Sequence, residues 1–145
     1  MSHPALLSPS STTECRLCLV RHGETTWNAE RRLQGHLDIP LNTVGREQAR
    51  LSAAQLPADL FNVCYSSDLS RAFDTARALC AERNLTPQPL PALRERHYGC
   101  FQGLTYDEAA EQHAAAYARF TARDPDYVLP NGGESLRGFQ QRILD

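Results

Sequence analysis

Three separated stretches of this chain carry side chains suited to phosphoryl transfer. In the first, Arg21-His22-Gly23 is followed by Asn28. Together they offer positive charge, a nitrogen nucleophile, a place without a side chain and an amide donor. In the second, Arg71 closes the run Ser66-Ser67-Asp68-Leu69-Ser70-Arg71. A guanidinium in the first turn of a helix adds a bidentate clamp for phosphate oxygens to an amino end that already attracts anions. In the third, Glu95 stands between Arg94 and Arg96. Expelling an alkoxide from a phosphate monoester needs a proton in the transition state, and a carboxylic acid of raised pKa can give it. Each residue taken alone has an ordinary alternative: a packed strand-end histidine, a solvated helix arginine, a glutamate paired with Arg94 or Arg96.

The elements that must position these groups are legible as alternating strands and helices. Leu17 to Val20 is an apolar run that predicts a strand buried on both faces, with Arg21-His22-Gly23 at its carboxyl end, where open α/β sheets bind ligands. Thr43 is placed to cap an Ala-rich helix running to about Gln55, before Pro57. Phe61 to Tyr65 predicts a second buried strand, and Ser67 or Asp68 a cap for a helix with the stripe Ala72, Phe73, Ala76, Leu79 and Cys80. Thr105 and Glu108 form a capping box for a helix that sets Tyr106, Ala109, Ala110, His113, Tyr117 and Phe120 on one packing face, closed by Asp124-Pro125. Ser135 caps a last helix with Leu136, Phe139 and Ile143. This alternation predicts a three-layer α/β/α sandwich around a mostly parallel sheet.

With 145 residues, 41% of them hydrophobic, the chain has the size of one domain, expected over residues 14–145 behind a flexible tail over residues 1–13. That tail lacks the basic start and apolar centre of a secretory signal. A net charge of −2 gives no basic footprint for nucleic acid, and no apolar run is long enough to cross a bilayer. All fifteen basic residues are arginine, which excludes a phosphate-loop, Schiff-base or general-base lysine. The five cysteines are odd in number and mostly within apolar runs, pointing to reduced, packed thiols and a cytoplasmic protein. Cys15 and Cys18 have metal-pair spacing, but residues three apart on a strand face opposite ways. Cys15 followed by Arg21 imitates the cysteine phosphatase spacing, yet an intervening strand of about 20 Å holds the two apart.

The stretch from Leu19 to Asn28, Leu-Val-Arg-His-Gly-Glu-Thr-Thr-Trp-Asn, resembles the amino-end signature of the histidine phosphatase superfamily, which includes cofactor-dependent phosphoglycerate mutases and related phosphatases. Ser66 to Ala72 is similar to its second motif and Glu95 to Gly103 to its third, and the resemblance runs from about Leu17 to the end. It implies that neutral His22 attacks phosphorus, that Arg21, Arg71 and Asn28 hold the equatorial oxygens, and that Glu95 protonates the leaving oxygen. Gln34 and Gly35 match a position near the substrate, His97 is a candidate substrate contact, and His36 reads as a surface residue. Neither a metal nor another cofactor is expected, and the partner is a small phosphate ester.

The family continues into a further strand that bears a second active-site histidine and lies between the first two. No matching segment precedes Asp145, so an incomplete protein is expected, with a gap between Leu17–Val20 and Phe61–Tyr65. Residues 104–131 hold Arg119 and Arg123 against Asp107, Glu108, Glu111, Asp124 and Asp126, and Asn131-Gly132-Gly133-Glu134-Ser135 resembles the phosphatase branch. The expectation is therefore a phosphomonoesterase working through a phosphohistidine. A phosphoglycerate mutase is the alternative, since Glu95-Arg96-His97-Tyr98-Gly99 looks like that group's third motif. A non-catalytic phosphate- or protein-binding module is a reading of another class, and a hydrolytic metal site of Glu24, His36, Asp38, Glu95 and His97 a third.

Overall fold

The computed structural model describes residues 15–145, so the tail expected over residues 1–13 lies outside it. The fold is α/β with a parallel sheet, but its strands are shorter than the sequence predicts. Strand β1 (Tyr65–Ser66) pairs in parallel with β2 (Gln88–Pro89), Tyr65 opposite Gln88 and Ser66 opposite Pro89. The rest of the expected Phe61–Tyr65 strand, and all of Leu17–Val20, forms no ladder among the described residues. Leu17 and Leu19 are 81% and 85% exposed, where burial on both faces was expected. A strand is completed by neighbours that take its N–H and C=O groups; Cys64 O accepts the Gln88 N–H at 2.9 Å, whereas no described residue pairs with Leu17–Val20 in a ladder.

Helices, closed by their own backbones, follow the sequence more closely. Immediately after Arg21-His22-Gly23 comes α1 (Thr26–Ala29), one turn capped by Thr25, with Asn28 answering it as a capping box. Asn42, one residue before the expected Thr43, caps α2 (Thr43–Gln55) by accepting the Gly45 N–H at 2.8 Å. Asparagine leads threonine as an N-cap, which accounts for the shift. Helix α2 packs on α3 (Ser70–Cys80). It also touches the loop after His22 so closely that a Cβ on Gly45 would stand 2.0 Å from Glu24 O, and one on Gly23 2.3 Å from Gly45 O.

Neither Ser67 nor Asp68 caps α3. Its N-cap is Leu69, and the Ser70 N–H and hydroxyl instead donate to the Asp38 carboxylate, both at 2.7 Å. An anion does sit at this amino end, but it is a side chain from a distant loop. The helix expected after Thr105 keeps its capping box but breaks at His113 (φ −134, ψ 47) into α4 (Tyr106–Gln112) and α5 (Ala114–Thr121), ending short of Asp124. Phe101, Leu33, Ala109 and Leu129 form the core there, with Tyr117 and Phe120 against it. Ser135 caps α6 (Leu136–Leu144) as expected. Of the thiols expected to be packed, Cys80 is buried whereas Cys15 and Cys18 are exposed.

Candidate active site

The His22 ring is held by its own loop. Nδ1 lies 2.7 Å from Gly23 O, and because a carbonyl can only accept, Nδ1 carries the proton and Nε2 keeps its lone pair. Burial, helped by the positive charges of Arg71 and Arg21, holds the imidazole pKa below its ordinary 6.5, against the opposing pull of the Gly23 carbonyl and Glu95. The neutral ring is the nucleophilic form, so this environment favours attack at neutral pH. Thr75 fixes the loop to α3: its Oγ1 accepts the Gly23 N–H at 3.1 Å and donates to Arg71 O at 2.8 Å.

Arg71 is 2% exposed, which removes the reading of a solvated helix arginine. Nη2 donates to Gly35 O at 2.7 Å and Nη1 to Leu37 O at 2.9 Å. These bonds set the guanidinium plane and leave its other N–H groups for a ligand. Gly35 makes this possible with a left-handed φ of 56° at a point where a Cβ would lie 2.3 Å from Gln102 Oε1.

Asn28 is fixed by its carbonyl end. Oδ1 accepts the Thr25 N–H at 3.0 Å, so the amide NH2 is the end left to the cavity. The fully buried Thr25 hydroxyl lies 3.0 Å from Asn28 Oδ1 and 2.8 Å from Gln34 Oε1, one proton serving both. Glu95 does not pair with either flanking arginine. Arg94 grips Asp68 with both branches (2.7 and 2.5 Å), and Arg96 donates twice to Glu134 O and lies over the Phe120 ring. Among the described residues the Glu95 carboxylate accepts only the Arg96 backbone N–H, at 2.8 Å.

A cavity of about 200 Å³ brings together seven of the eight residues singled out in the sequence: Arg21, His22, Asn28, Gln34, Gly35, Arg71 and Glu95. The eighth, His97, does not line it. Its Nδ1 accepts the Gly99 N–H and its ring meets His36 edge-on at 4.8 Å, behind Glu95. Nor is His36 a plain surface residue, since it is half-buried with Nε2 2.9 Å from Glu95 O. Arg32, Tyr98 and Tyr106 also line the cavity and were not foreseen. Tyr106 was placed on a packing face, but it is 48% exposed and lines this cavity instead. Burial, and then the Glu95 charge, push the Tyr98 phenol up to about 12, so it remains a donor. Arg32 joins Glu30 (2.9 Å) and Glu108 (2.7 Å); nothing in the sequence separates it from Arg31.

A second cavity of about 720 Å³ shares Arg21, His22, Arg71 and Glu95 and extends between Leu17–Val20, β1 and the α6 side chains Phe139 and Ile143. Among the described residues no group of three or more His, Cys, Asp or Glu could hold a metal ion. Of the residues considered above for a metal, His36 and His97 meet ring to ring beside the Glu95 backbone, while Glu24 bonds Asn42 and Asp38 bonds Ser70. No helix among the described residues is long and apolar enough to cross a membrane.

Comparison with known proteins places this geometry in a family. Residues 17–145 match the family model described as "Histidine phosphatase superfamily (branch 1)". The chain is 47% identical over 125 residues to "Phosphoglycerate mutase-like protein 4" of Arabidopsis thaliana, covering 83% of this chain and 53% of that protein. It is 44% identical over 139 residues to "Metal-independent phosphoserine phosphatase" of the same plant, covering 94% and 57%. The solved structure of mycobacterial glucosyl-3-phosphoglycerate phosphatase with VO3 superposes with a TM-score of 0.74 at 38% identity, over 83% of this chain and 57% of that one. The chain thus spans a little over half the length of these relatives.

Proposed function

The chain belongs to the histidine phosphatase superfamily, and from that premise we propose that the protein hydrolyses small phosphate monoesters through a phosphohistidine on His22. The observation that carries this reading is the imidazole itself, with Nδ1 bound to Gly23 O, Nε2 unprotonated, and Arg21, Arg71 and Glu95 on the same cavity. In the first step a bond forms from Nε2 to phosphorus as the bond to the ester oxygen breaks, and the Glu95 proton passes to that oxygen. Arg21, Arg71 and the Asn28 amide stabilise the equatorial oxygens. In the second step water attacks phosphorus, its proton returns to Glu95, and the bond to Nε2 breaks. Gln34 and Gly35 shape the floor of this site, Gly35 by giving its carbonyl to Arg71.

Hydrolysis is favoured over mutase chemistry by the segment over residues 104–131. A mutase must hold a polyanion and shield its phosphohistidine from water, for which free cations are useful. Here Arg119 pairs with Asp124 and lies 4.2 Å from the Tyr127 ring centre. An odd number of cysteines, five, suits a reducing, cytoplasmic setting. The test is to incubate the full-length protein with a phosphate ester, quench in alkali, and locate the label. Phosphate on His22, stable to base and lost in acid, is expected; label on serine or cysteine, or 2-phosphoglycerate formed from 3-phosphoglycerate faster than any phosphate release, would overturn the hydrolase reading.

A further inference from the structure

The densest polar network near the site touches no residue that lines the small cavity except through the backbone of Glu95. It centres on Arg142 of α6. Its Nη1 donates to Ala92 O at 2.7 Å and to Arg94 O at 3.1 Å, and its Nη2 donates to Glu95 O at 3.1 Å. Nε and Nη2 also grip both oxygens of Glu134, at 2.6 and 2.9 Å. Glu134 Oε2 accepts the His97 N–H at 2.7 Å, while its backbone receives the Arg96 guanidinium. Every residue from Ala92 to His97 except Leu93 is therefore tied to one two-residue unit from the far end of the chain. Both side chains are largely covered, at 24% and 20% exposure, so their pairing is shielded from water. Glu95 itself is exposed on its cavity side.

We infer that Arg142 and Glu134 form a clamp that positions the Glu95 carboxyl against the leaving oxygen, making them positioning residues for proton donation. This rests on the proposed hydrolysis through His22. The clamp bonds the backbone on both sides of Glu95 and leaves its side chain alone, the arrangement needed to fix a proton donor without an ion pair that would hold it deprotonated. Arginine suits this place because one planar fork reaches three carbonyls and a carboxylate, which an ammonium on a flexible stem cannot do.

The experiment uses the full-length protein with Arg142→Gln, Arg142→Lys and Glu134→Gln, each alone and combined with Glu95→Gln. kcat/KM is measured on alkyl phosphates, which need a proton donor, and on nitrophenyl phosphates, which do not. Arg142→Gln is expected to slow alkyl esters roughly 10- to 100-fold and nitrophenyl esters less than about 3-fold, the selectivity of a lost general acid. Arg142→Lys should recover part of that loss. Glu134→Gln, which keeps an acceptor for the His97 N–H, should show the same selectivity at about 3- to 10-fold and serves if Arg142→Gln does not fold. In the Glu95→Gln background either change should alter the alkyl rate less than about 3-fold, because the group being positioned is gone. Equal losses on both ester classes, or losses that add to that of Glu95→Gln, would overturn the clamp. If the unsubstituted protein placed no label on His22, the hydrolysis itself would fall; label on His22 without selective loss would sink the clamp alone.

Discussion

The two sides of His22 differ sharply in how they are held. Towards α2 and α3 the His22 loop is interlocked: Gly23 against Gly45, its N–H on Thr75, and the buried Arg71 on the carbonyls of Gly35 and Leu37. Towards Leu17–Val20 the chain has no ladder partner among the described residues, and its leucines stand in water beside the 720 Å³ cavity. The contrast teaches that the contacts around His22 and Arg71 are made by loop and helix residues, not by sheet neighbours. Helix caps, a glycine contact and a buried arginine bring His22 and the Arg71 charge together from residues 21–75.

The comparison can be broken most severely at His22. In the full-length protein His22→Ala should remove the acid-labile phosphate label and lower kcat/KM by at least about 10³-fold. A variant that kept its rate would mean that the interlocked side holds something other than the reacting nitrogen.

Gly45→Ala comes next. Its new methyl would meet the backbone carbonyl of Glu24 at 2.0 Å, an atom that cannot swing aside, so a loss of about 2–4 kcal/mol in the unfolding free energy of the 145-residue chain is expected by denaturant titration. A neutral result would show that α2 and the loop separate without cost. Both sides of His22 would then be equally loose.

Smaller still is the effect of acid. His22 is neutral above a pKa held below 6.5 by burial and by Arg71 and Arg21, so kcat/KM on an aryl phosphate should rise with pH along a limb lying below 6.5. Arg21→Ala removes one repelling charge and should move that limb to higher pH by less than about one unit, read as the midpoint of the pH–rate profile. The sign for stability is the same. A histidine whose folded pKa is depressed contributes fully above the unfolded value of 6.5 and loses that contribution as pH falls through the folded value. A limb above 6.5 would contradict the burial of the ring.

On the bare side, Leu17→Ser in the 145-residue chain should change stability by no more than about 0.5 kcal/mol, because the side chain is already 81% exposed. A clear loss in thermal unfolding, growing with protein concentration, would mean that a second copy covers this face. The contrast between the two sides would then vanish in solution.

The sequence by itself determined what its local chemistry could encode. Arg21-His22-Gly23, the capping box at Thr105 and Glu108 and the cap at Ser135 all act within a few residues, and all are legible in composition and spacing. So were seven of the residues around the small cavity, because an unusual grouping of residue types marks a site even where its geometry is unknown, whereas Arg32, Tyr98 and Tyr106 carry no such mark. Tertiary structure decided the rest. Arg71 finds its acceptors 36 and 34 residues away, at Gly35 and Leu37, Ser70 takes its cap from Asp38, 32 residues away, and Arg142 reaches back 47 residues to Glu95. No periodicity announces such partners, since a guanidinium or a helix N–H accepts any carbonyl or carboxylate that packing brings near. Strands fail for the same reason: the apolar run Leu17 to Val20 specifies a preference for burial, but only neighbouring chain can satisfy its backbone and turn that preference into a strand.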